Sequence, residues 1–304
     1  MKKILLALAF LTYGLAFAAE SLKIIVPYAP GGQTDLLARI FAKEITTRQN
    51  IEVVIINKPG AEGLVGQNEM LTKQPDGNTI LFTGNGGIIF KSLESSANYV
   101  SMKKLVPITR VIVSGNFLAT KASSSIKTWE QLQAALKVRT VSIGTNGAQA
   151  SSLMAEIFSN TPNAIIIPYN SDSASALGLM SSTVEVAVLT FVYSTNVTNG
   201  DMNGLAVTTP TGQFGTKSLT ELGVNATRQT WSGFFVPPGT PDSVVNHLFN
   251  TINESKKSPE LQAAITTQIH AIASRPLTPN EFTAAIETEY RQQAKTGKYP
   301  NYNK

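Results

Sequence analysis

The sequence predicts an α/β protein made of two units, each a parallel-rich sheet flanked by helices. The chain of 304 residues is long enough for two domains at roughly 150 residues per domain. Short β-rich segments alternate with amphipathic helical segments, which is typical of parallel sheets. The alternation restarts near Val106, and in each unit a glycine-containing loop joins a strand to a helix.

Residues 1–18 match a secretory signal peptide. A basic start precedes a mostly apolar run, and Ala16-Phe17-Ala18 fits a small-x-small cleavage pattern. The run is interrupted by Thr12-Tyr13-Gly14 and is shorter than the ~20 residues that span a bilayer. This disfavours the alternative of a membrane anchor. We therefore expect cleavage after Ala18 and export of the mature chain to the periplasm.

In the first unit the predicted strands are short and hydrophobic, and turn residues separate them from two helices. The predicted strands are Leu22–Pro27, Glu52–Ile56 and Thr79–Thr83, and the helices are one that starts near Thr34 and one at Val65–Lys73. The first helix presents apolar residues at helical spacing, namely Leu36, Leu37, Ile40, Phe41 and Ile45. After the third strand, Gly84-Asn85-Gly86-Gly87 predicts no regular element.

The second unit repeats this order of elements, and the tail of the chain is mainly helical. Its predicted strands are Val106–Val113, Thr140–Ile143, Ala164–Ile167, Val184–Leu189 and Leu205–Thr208. Three helices are predicted in this unit. The first follows a capping box at Thr128, and the other two occupy Ala150–Phe158 and Ser173–Met180. In the tail, a strand at Thr230–Val236 is followed by helices that start at Thr240-Pro241 and at the capping box Thr278-Pro279-Asn280-Glu281.

Composition excludes several functional classes. The absence of cysteine excludes disulfides, thiolate metal sites and cysteine nucleophiles, and two histidines exclude a multi-histidine metal site. The formal charge of +5 falls short of the basic surface that nucleic-acid binding needs. No pairing of nucleophile and base stands out. We therefore expect no metal, no cofactor, no nucleic-acid partner, no catalytic residues and no enzymatic activity.

Two loops between a strand and a helix are candidates for a binding site. They are Tyr28-Ala29-Pro30-Gly31-Gly32-Gln33 and the segment Gly144–Gln149. Such loops lie at the carboxyl edge of a parallel sheet, where ligands bind in open α/β folds. The following helix presents unpaired N–H groups and a partial positive charge, which together bind anions. The alternative is that the glycines only make tight turns, but two such loops in two similar units favour a cleft between them.

The segment Ile24–Arg39 resembles the opening of the Bug/TctC family, the periplasmic receptors of tripartite tricarboxylate transport. The resemblance continues through Asn57-Lys58-Pro59-Gly60-Ala61 and Pro75-Asp76-Gly77. Later it includes Ile167-Pro168-Tyr169 and the segment that starts with Trp231-Ser232-Gly233-Phe234. Each motif is weak alone, but together they keep the family's order over nearly all of the mature chain.

The resemblance implies a two-lobed Venus-flytrap binding protein. Lobe 1 would comprise residues 19–108 and 229–304, and lobe 2 residues 109–228. The function implied is capture of a small organic acid (a carboxylate) between the lobes and its delivery to membrane transporter subunits, by a monomeric receptor. A ligand-sensing subunit for a membrane signalling kinase remains an alternative, and a secreted enzyme is a weaker one.

In the family, the loops that match Pro30–Asp35 and Gly144–Gln149 grip the ligand from opposite sides. The candidate ligand-binding residues are Tyr28, Pro30, Gly31, Gly32, Gln33, Thr34, Asp35, Gly84, Asn85, Gly144, Thr145, Asn146, Gly147, Ala148, Gln149 and Tyr169. Asp35 has a second interpretation as a first-turn acid that suits the helix dipole. In the cleft it would repel a carboxylate, unless the ligand also carried an ammonium or hydroxyl group. Trp231 is expected either to pack the hinge or to line the cleft.

The second lobe departs from the family pattern at its binding loop. The third glycine and the histidine that the family often has there are absent from Gly144–Leu153, and Leu189 stands where the family often has Asp. These changes make the second lobe less polar at one point. We therefore expect an apolar or aromatic acid to fit this cleft better than the family's tricarboxylates do.

Overall fold

The computed structural model describes residues 21–95, 98, 102–226, 228–269, 272–273 and 275–294. The predicted signal peptide at residues 1–18 lies outside the described residues. Within the described ranges, none of the helices has both the length and the apolar composition needed to cross a membrane. The described chain folds into two lobes, each built on its own sheet.

In chain order the strands are β1 (Leu22–Val26), β2 (Val53–Asn57), β3 (Thr79–Gly84), β4 (Val106–Ser114), β5 (Asn116–Lys121), β6 (Val141–Thr145), β7 (Ala164–Pro168), β8 (Val186–Thr190), β9 (Met202–Val207), β10 (Thr230–Val236) and β11 (Ile272–Ala273). The α-helices are α1 (Gln33–Gln49), α2 (Leu64–Met70), α3 (Trp129–Val138), α4 (Ala148–Ile157), α5 (Asp172–Met180), α6 (Ser194–Thr198), α7 (Asp242–Lys256), α8 (Pro259–Ala264) and α9 (Pro279–Ala294). Single turns of 3₁₀- or π-helix occur at Ala61–Gly63, Gly86–Lys91, Phe191–Tyr193 and Ile265–Ile269.

Both sheets are mixed. The first has the strand order β11-β4-β10-β3-β1-β2, and the second has the order β7-β6-β8-β5-β9. The expected parallel pairs are present, since β1 is parallel to β2 and β3, and β6 is parallel to β7 and β8. The pairs made by β10, β4, β11 and β5 are antiparallel. Each sheet is therefore parallel only on the side that bears the predicted binding loops.

The chain crosses between the lobes twice, close to the cleft. It leaves the first sheet at the end of β4 and joins the second sheet with β5, so that Gly115 is the only residue between them. A Cβ at Gly115 would lie 2.7 Å from the side chains of Phe191 and Thr209, so only glycine fits this crossing. The boundary expected after residue 108 lies inside β4. The return crossing reaches the first sheet with β10 at Thr230, next to the boundary expected after residue 228.

Apolar side chains cover both faces of each sheet. On one face of the first sheet, Phe41 of α1 packs against Phe82 of β3 and Phe234 of β10, with ring centroids 4.5–6.3 Å apart. On the opposite face, Trp231 of β10 packs on Phe282 of α9. Successive strand residues point to opposite faces, and therefore β10 supplies both cores. These two cores hold the predicted binding loops of lobe 1 against a rigid sheet.

Most predicted elements are present, and the exceptions have local causes. The strand Thr230–Val236 is found with the predicted bounds. The capping box of α9 is also found, since Thr278 N donates to Glu281 Oε2 over 2.8 Å. Thr240 is not the N-cap of α7, because its hydroxyl donates to Pro237 O and Pro241 takes the cap position. The prediction of no regular element around Gly86 was wrong. A π-helical turn forms there and buries its apolar residues Ile88, Ile89 and Phe90.

Candidate ligand-binding cleft

A cavity lies between the lobes and is lined by residues from both. Lobe 1 contributes Tyr28, Ala29, Gly32, Gln33, Thr34, Glu62, Gly84, Asn85, Gly86, Thr230, Trp231 and Ser232. Lobe 2 contributes Asn146, Gly147, Ala148, Gln149, Asn170, Ser171, Asp172 and Thr190. Ten of the sixteen candidate residues from the sequence therefore line this cavity.

Helix α1 opens onto the cleft with a glycine at its N-cap. Gly32 adopts an extended conformation (φ −80°, ψ 168°), and no side chain accepts a hydrogen bond from the first turn. The first backbone N–H groups of a helix have no partner within the helix. The amides around Gln33 and Thr34 therefore remain available to an anion in the cleft, where the helix dipole adds a partial positive charge.

Helix α4 presents the same feature from the opposite lobe. Its N-cap is Gly147, with φ +113° and ψ 179°, and again no side chain caps the first turn. This backbone conformation is accessible mainly to glycine. By contrast, α5 also starts at the cleft, but its N-cap Ser171 accepts a hydrogen bond from Ala174 N over 3.1 Å. Two uncapped helix starts therefore face the same space from the two lobes.

Asp35 is not among the residues that line the cleft. Its carboxylate accepts hydrogen bonds from Gly31 N (2.9 Å), Arg39 Nε (3.0 Å) and Asn57 Nδ2 (2.9 Å). Burial alone would raise the pKa of Asp35, but the hydrogen bonds from Arg39, Gly31 and Asn57 hold it below its usual value. The carboxylate therefore shapes the loop that precedes α1, as the first-turn interpretation expects.

Five further candidates support the cleft without lining it. Pro30 and Gly31 are exposed, and neither is among the residues that line the cavity. The other three belong to the scaffold of lobe 2. Thr145 is buried and its hydroxyl lies 2.6 Å from Ser151 Oγ. Gly144 leaves room for the ring of Tyr169, which a Cβ at position 144 would approach to 3.0 Å.

Asp172 holds together the wall of lobe 2. Its Oδ1 accepts from Asn146 Nδ2 (2.9 Å) and from Thr190 N (3.0 Å), and its Oδ2 accepts from Thr190 Oγ1. Burial raises the pKa of Asp172 above its usual value, and the three hydrogen bonds only partly offset this effect. The carboxylate therefore already has its partners and positions Asn146 beside the uncapped start of α4.

Glu289 lies behind Asn85 and Trp231, two residues that line the cleft. Its carboxylate accepts from Trp231 Nε1 over 2.7 Å and from Asn85 Nδ2 over 3.0 Å. Asn85 of lobe 1 and Gln149 of lobe 2 both donate to the carbonyl of Gln229, over 3.1 and 3.3 Å. Trp231 therefore both packs the hinge and lines the cleft, so its two predicted roles are compatible.

Replacing Glu289 by Gln should change how stability depends on pH. Burial raises the pKa of Glu289, although hydrogen bonds from Trp231 and Asn85 oppose this. A carboxyl whose folded-state pKa lies above its unfolded value stabilises the fold at low pH, and this contribution is lost as pH rises through the folded pKa. The free energy of unfolding of the wild type, minus that of Glu289→Gln, should therefore fall as pH rises above about 4, the ordinary pKa of glutamate. Urea unfolding at several pH values measures this difference, and a constant or rising difference would contradict the assignment.

The charged residues of the cleft are acidic. Among the described residues that line it, Glu62 and Asp172 are charged, and there is no lysine or arginine. Two nearby cations lie outside the lining and have acidic partners: Lys91 pairs with Glu94 (2.6 Å) and with the lining residue Glu62 (3.6 Å), and Arg228 pairs with Glu156 (2.7 Å). No group of three or more His, Asp or Glu residues in the described ranges is placed to hold a metal ion. An anion in this cleft would be held mainly by backbone amides.

Three buried polar atoms in the lining have no hydrogen-bond partner among the described residues. They are Gln33 Nε2, Glu62 Oε2 and Thr230 Oγ1. Burying a polar group without a partner costs about 1–3 kcal/mol, so such groups indicate a missing partner. The side-chain amide of Gln33 lies beside the uncapped start of α1 and adds a donor for the same anion.

Several lining residues were not among the sequence candidates. Of these, Glu62 follows directly after the turn motif at Asn57–Ala61 that the sequence had marked. Asn170, Ser171 and Asp172 follow the Pro168-Tyr169 motif in the same way. Thr190 and Thr230 lie at strand ends, where no local pattern distinguishes them.

A family model, a curated relative and solved structures all match this chain. The family model "Tripartite tricarboxylate transporter family receptor" matches residues 37–276. A UPF0065 protein of Bordetella pertussis is 28% identical over 257 residues, covering 80% of this chain and 78% of that protein. The structure of the periplasmic binding protein BugD is similar, with a TM-score of 0.83, 23% identity, and coverage of 91% and 96%. The structure of MatC from Rhodopseudomonas palustris with bound malate has a TM-score of 0.81 at 17% identity, with coverage of 90% and 97%.

Proposed function

The chain belongs to the tripartite tricarboxylate transporter family of receptors, and from this premise we propose that it captures a small organic acid between its lobes. Receptors of this family are solute-binding proteins and not enzymes. The similar protein MatC was solved with malate, a small carboxylate. The proposal includes export to the periplasm after cleavage behind Ala18, and delivery of the acid to membrane transporter subunits.

The observation that supports this function best is the pair of uncapped helix starts. Gly32 of lobe 1 and Gly147 of lobe 2 leave the first-turn amides of α1 and α4 without a side-chain cap, and both line one cavity. A carboxylate in a closed cleft must have its oxygens hydrogen-bonded. Backbone amides satisfy them without ordering long side chains, and the side-chain amide of Gln33 adds another donor.

Because the donors lie on both lobes, ligand binding should favour the closed arrangement of the two lobes. A ligand that contacts both lobes binds the closed form better than the open form, because only the closed form offers both sets of donors. The two crossings at Gly115 and near Gln229 are short, so closure moves the lobes as bodies about these residues. The membrane partner can then recognise the closed, loaded shape.

A thermal-shift screen tests the proposal. The chain is heated with dicarboxylates, tricarboxylates, amino acids and aromatic acids, and with the uncharged amide of each acid as its matched control. A ligand at ~100 times its dissociation constant stabilises the folded state by about 2.7 kcal/mol. For a chain of this size that is a rise in Tm of roughly 5 °C. The proposal fails if no acid raises Tm more than its amide does, or if the bound acid is recovered chemically changed.

A further inference from the structure

Glu62 lies on a turn with an unusual backbone. The four residues Gly60–Gly63 all have positive φ, including +46° at Ala61 and +54° at Glu62. Residues other than glycine adopt this left-handed region only at an energetic cost. The turn is also packed tightly, because a Cβ at Gly63 would lie 3.2 Å from the hydroxyl of Tyr28. This turn places Glu62 on the wall of the cleft.

One oxygen of this side chain has no hydrogen bond. Glu62 Oε2 lies 3.6 Å from Lys91 Nζ, which is an ion-pair distance but longer than a hydrogen bond. The ammonium of Lys91 lies closer to Glu94 Oε2, at 2.6 Å. The Glu62 side chain is only 13% exposed, so bulk water does not replace the missing partner. Glu62 therefore lines the cleft, and no described residue donates a hydrogen bond to its Oε2.

The other acid in the cleft, Asp172, has hydrogen-bond donors at both of its oxygens. The carboxylate of Asp172 already accepts from Asn146, from the amide of Thr190 and from its hydroxyl. The two helix starts and the side-chain amide of Gln33 offer donors to the same cavity. The cleft thus contains one region suited to a carboxylate and, at Glu62, one unmatched acceptor.

We propose that Glu62 is a specificity residue that accepts a hydrogen bond from a hydroxyl or ammonium group of the bound acid. This inference rests on the proposed function, because it assumes that the acid lies in the cleft. It predicts that a plain dicarboxylate leaves the oxygen of Glu62 unsatisfied, whereas a hydroxy or amino acid of the same skeleton satisfies it. A hydrogen bond to a charged group contributes roughly 1.5–3 kcal/mol, which corresponds to about tenfold or more in affinity.

The test measures binding by calorimetry with acids that differ only in the donor group. The matched sets are succinate with malate and aspartate, glutarate with 2-hydroxyglutarate and glutamate, tricarballylate with citrate, and phenylacetate with mandelate. In the set that binds best, the wild type should prefer a hydroxy or amino acid over the plain acid by at least tenfold. Glu62→Ala should reduce this preference to less than threefold while the plain acid binds at least as well as before.

Two further variants sharpen the result. Glu94→Ala removes the carboxylate that holds Lys91 away from Glu62, so the freed ammonium should donate to Glu62 and weaken the preference. Glu62→Gln keeps a neutral acceptor oxygen, so it should retain a preference for a hydroxyl and lose a preference for an ammonium. A preference that Glu62→Gln retains indicates a hydroxyl donor on the ligand, and a preference that it loses indicates an ammonium donor.

Two outcomes would overturn the inference alone. They are a wild type that binds an acid without any such preference, and a preference that survives in Glu62→Ala. If no acid of any set binds, the proposed function fails and this inference fails with it.

Discussion

Replacing Gly32 by Asp should abolish binding of every acid that the wild-type chain binds. Gly32 is the N-cap of α1, with an extended backbone that any residue can adopt. Aspartate at an N-cap accepts hydrogen bonds from the first-turn amides of its own helix. In Gly32→Asp the side-chain carboxylate would therefore occupy the place of the ligand carboxylate and repel it as well. The loss of two charge-assisted hydrogen bonds predicts at least a hundredfold weaker binding.

Gly32→Asp should leave the fold intact, so a loss of binding in this variant would not result from unfolding. A Cβ at position 32 meets only the Cβ of Asp172, at 3.9 Å, an ordinary van der Waals distance. Replacing glycine by aspartate at an N-cap changes helix stability by only a few tenths of a kcal/mol. Thermal unfolding should therefore show a Tm near that of the wild type.

Matched variants identify the cause of the loss. Gly32→Ala adds a Cβ without an acceptor and should bind within about threefold of the wild type, as measured by calorimetry. Gly32→Asn caps the helix without a charge and should weaken binding less than Gly32→Asp does. If Gly32→Asp binds acids as tightly as Gly32→Ala, then the amides of α1 do not hold the carboxylate.

The sequence predicts elements well where the signal is local. The spacing of Leu37, Phe41 and Ile45 marks the buried face of α1, and all three side chains are fully buried. Both uncapped helix starts were predicted from a glycine that follows a strand. Gly32 and Gly147 are these glycines, and each lies in the loop that the sequence pattern identifies. Helix starts and turns depend on residues that are neighbours in the sequence, so a local sequence pattern is enough to predict them.

Strand direction and sheet membership depend on distant residues. Strand β5 was not predicted, because it follows β4 after one glycine and pairs with residues far along the chain, such as Leu189 and Val207. The antiparallel position of β10 has the same origin, since its direction depends on how the chain returns from lobe 2. No local pattern records these pairings, so the predicted sheets were more parallel than the observed ones.

The residues of the candidate site also fall into those that a local pattern predicts and those that only the fold brings together. Loop residues such as Thr34 and Asn146 were predicted because they lie in the glycine-containing loops, and both line the cleft. The hydrogen bond from Asn57 to Asp35 was not predicted, because Asn57 comes from a different loop. Glu62, Thr190 and Thr230 were missed because the fold alone brings them to the cleft.

A disulfide between positions 32 and 172 should lock the lobes together. A Cβ at Gly32 of lobe 1 would lie 3.9 Å from the Cβ of Asp172 in lobe 2, which is within the range that a disulfide spans. The natural chain has no cysteine, so the pair Gly32→Cys with Asp172→Cys would contain the only thiols. The oxidised pair should form without a large backbone movement.

The lock should have a large effect on both stability and binding. Closing a loop of 100 residues or more removes enough chain entropy to stabilise by up to about 4–5 kcal/mol in the entropic model. An oxidised chain cannot open its cleft, so it should neither admit nor release an acid. Adding a reductant should restore binding, although more weakly than in the wild type because Asp172 no longer positions Asn146 and Thr190.

Oxidised and reduced forms of the same variant provide the comparison. Both forms lack Gly32 and Asp172, so the cost of the substitutions cancels and the difference reports the cross-link alone. The measurements are Tm and acid binding by calorimetry, with each single-cysteine variant as a control that reductant should not affect. If the pair does not oxidise, or if the oxidised form binds acids as the reduced form does, the two lobes do not close on the ligand at Gly32 and Asp172.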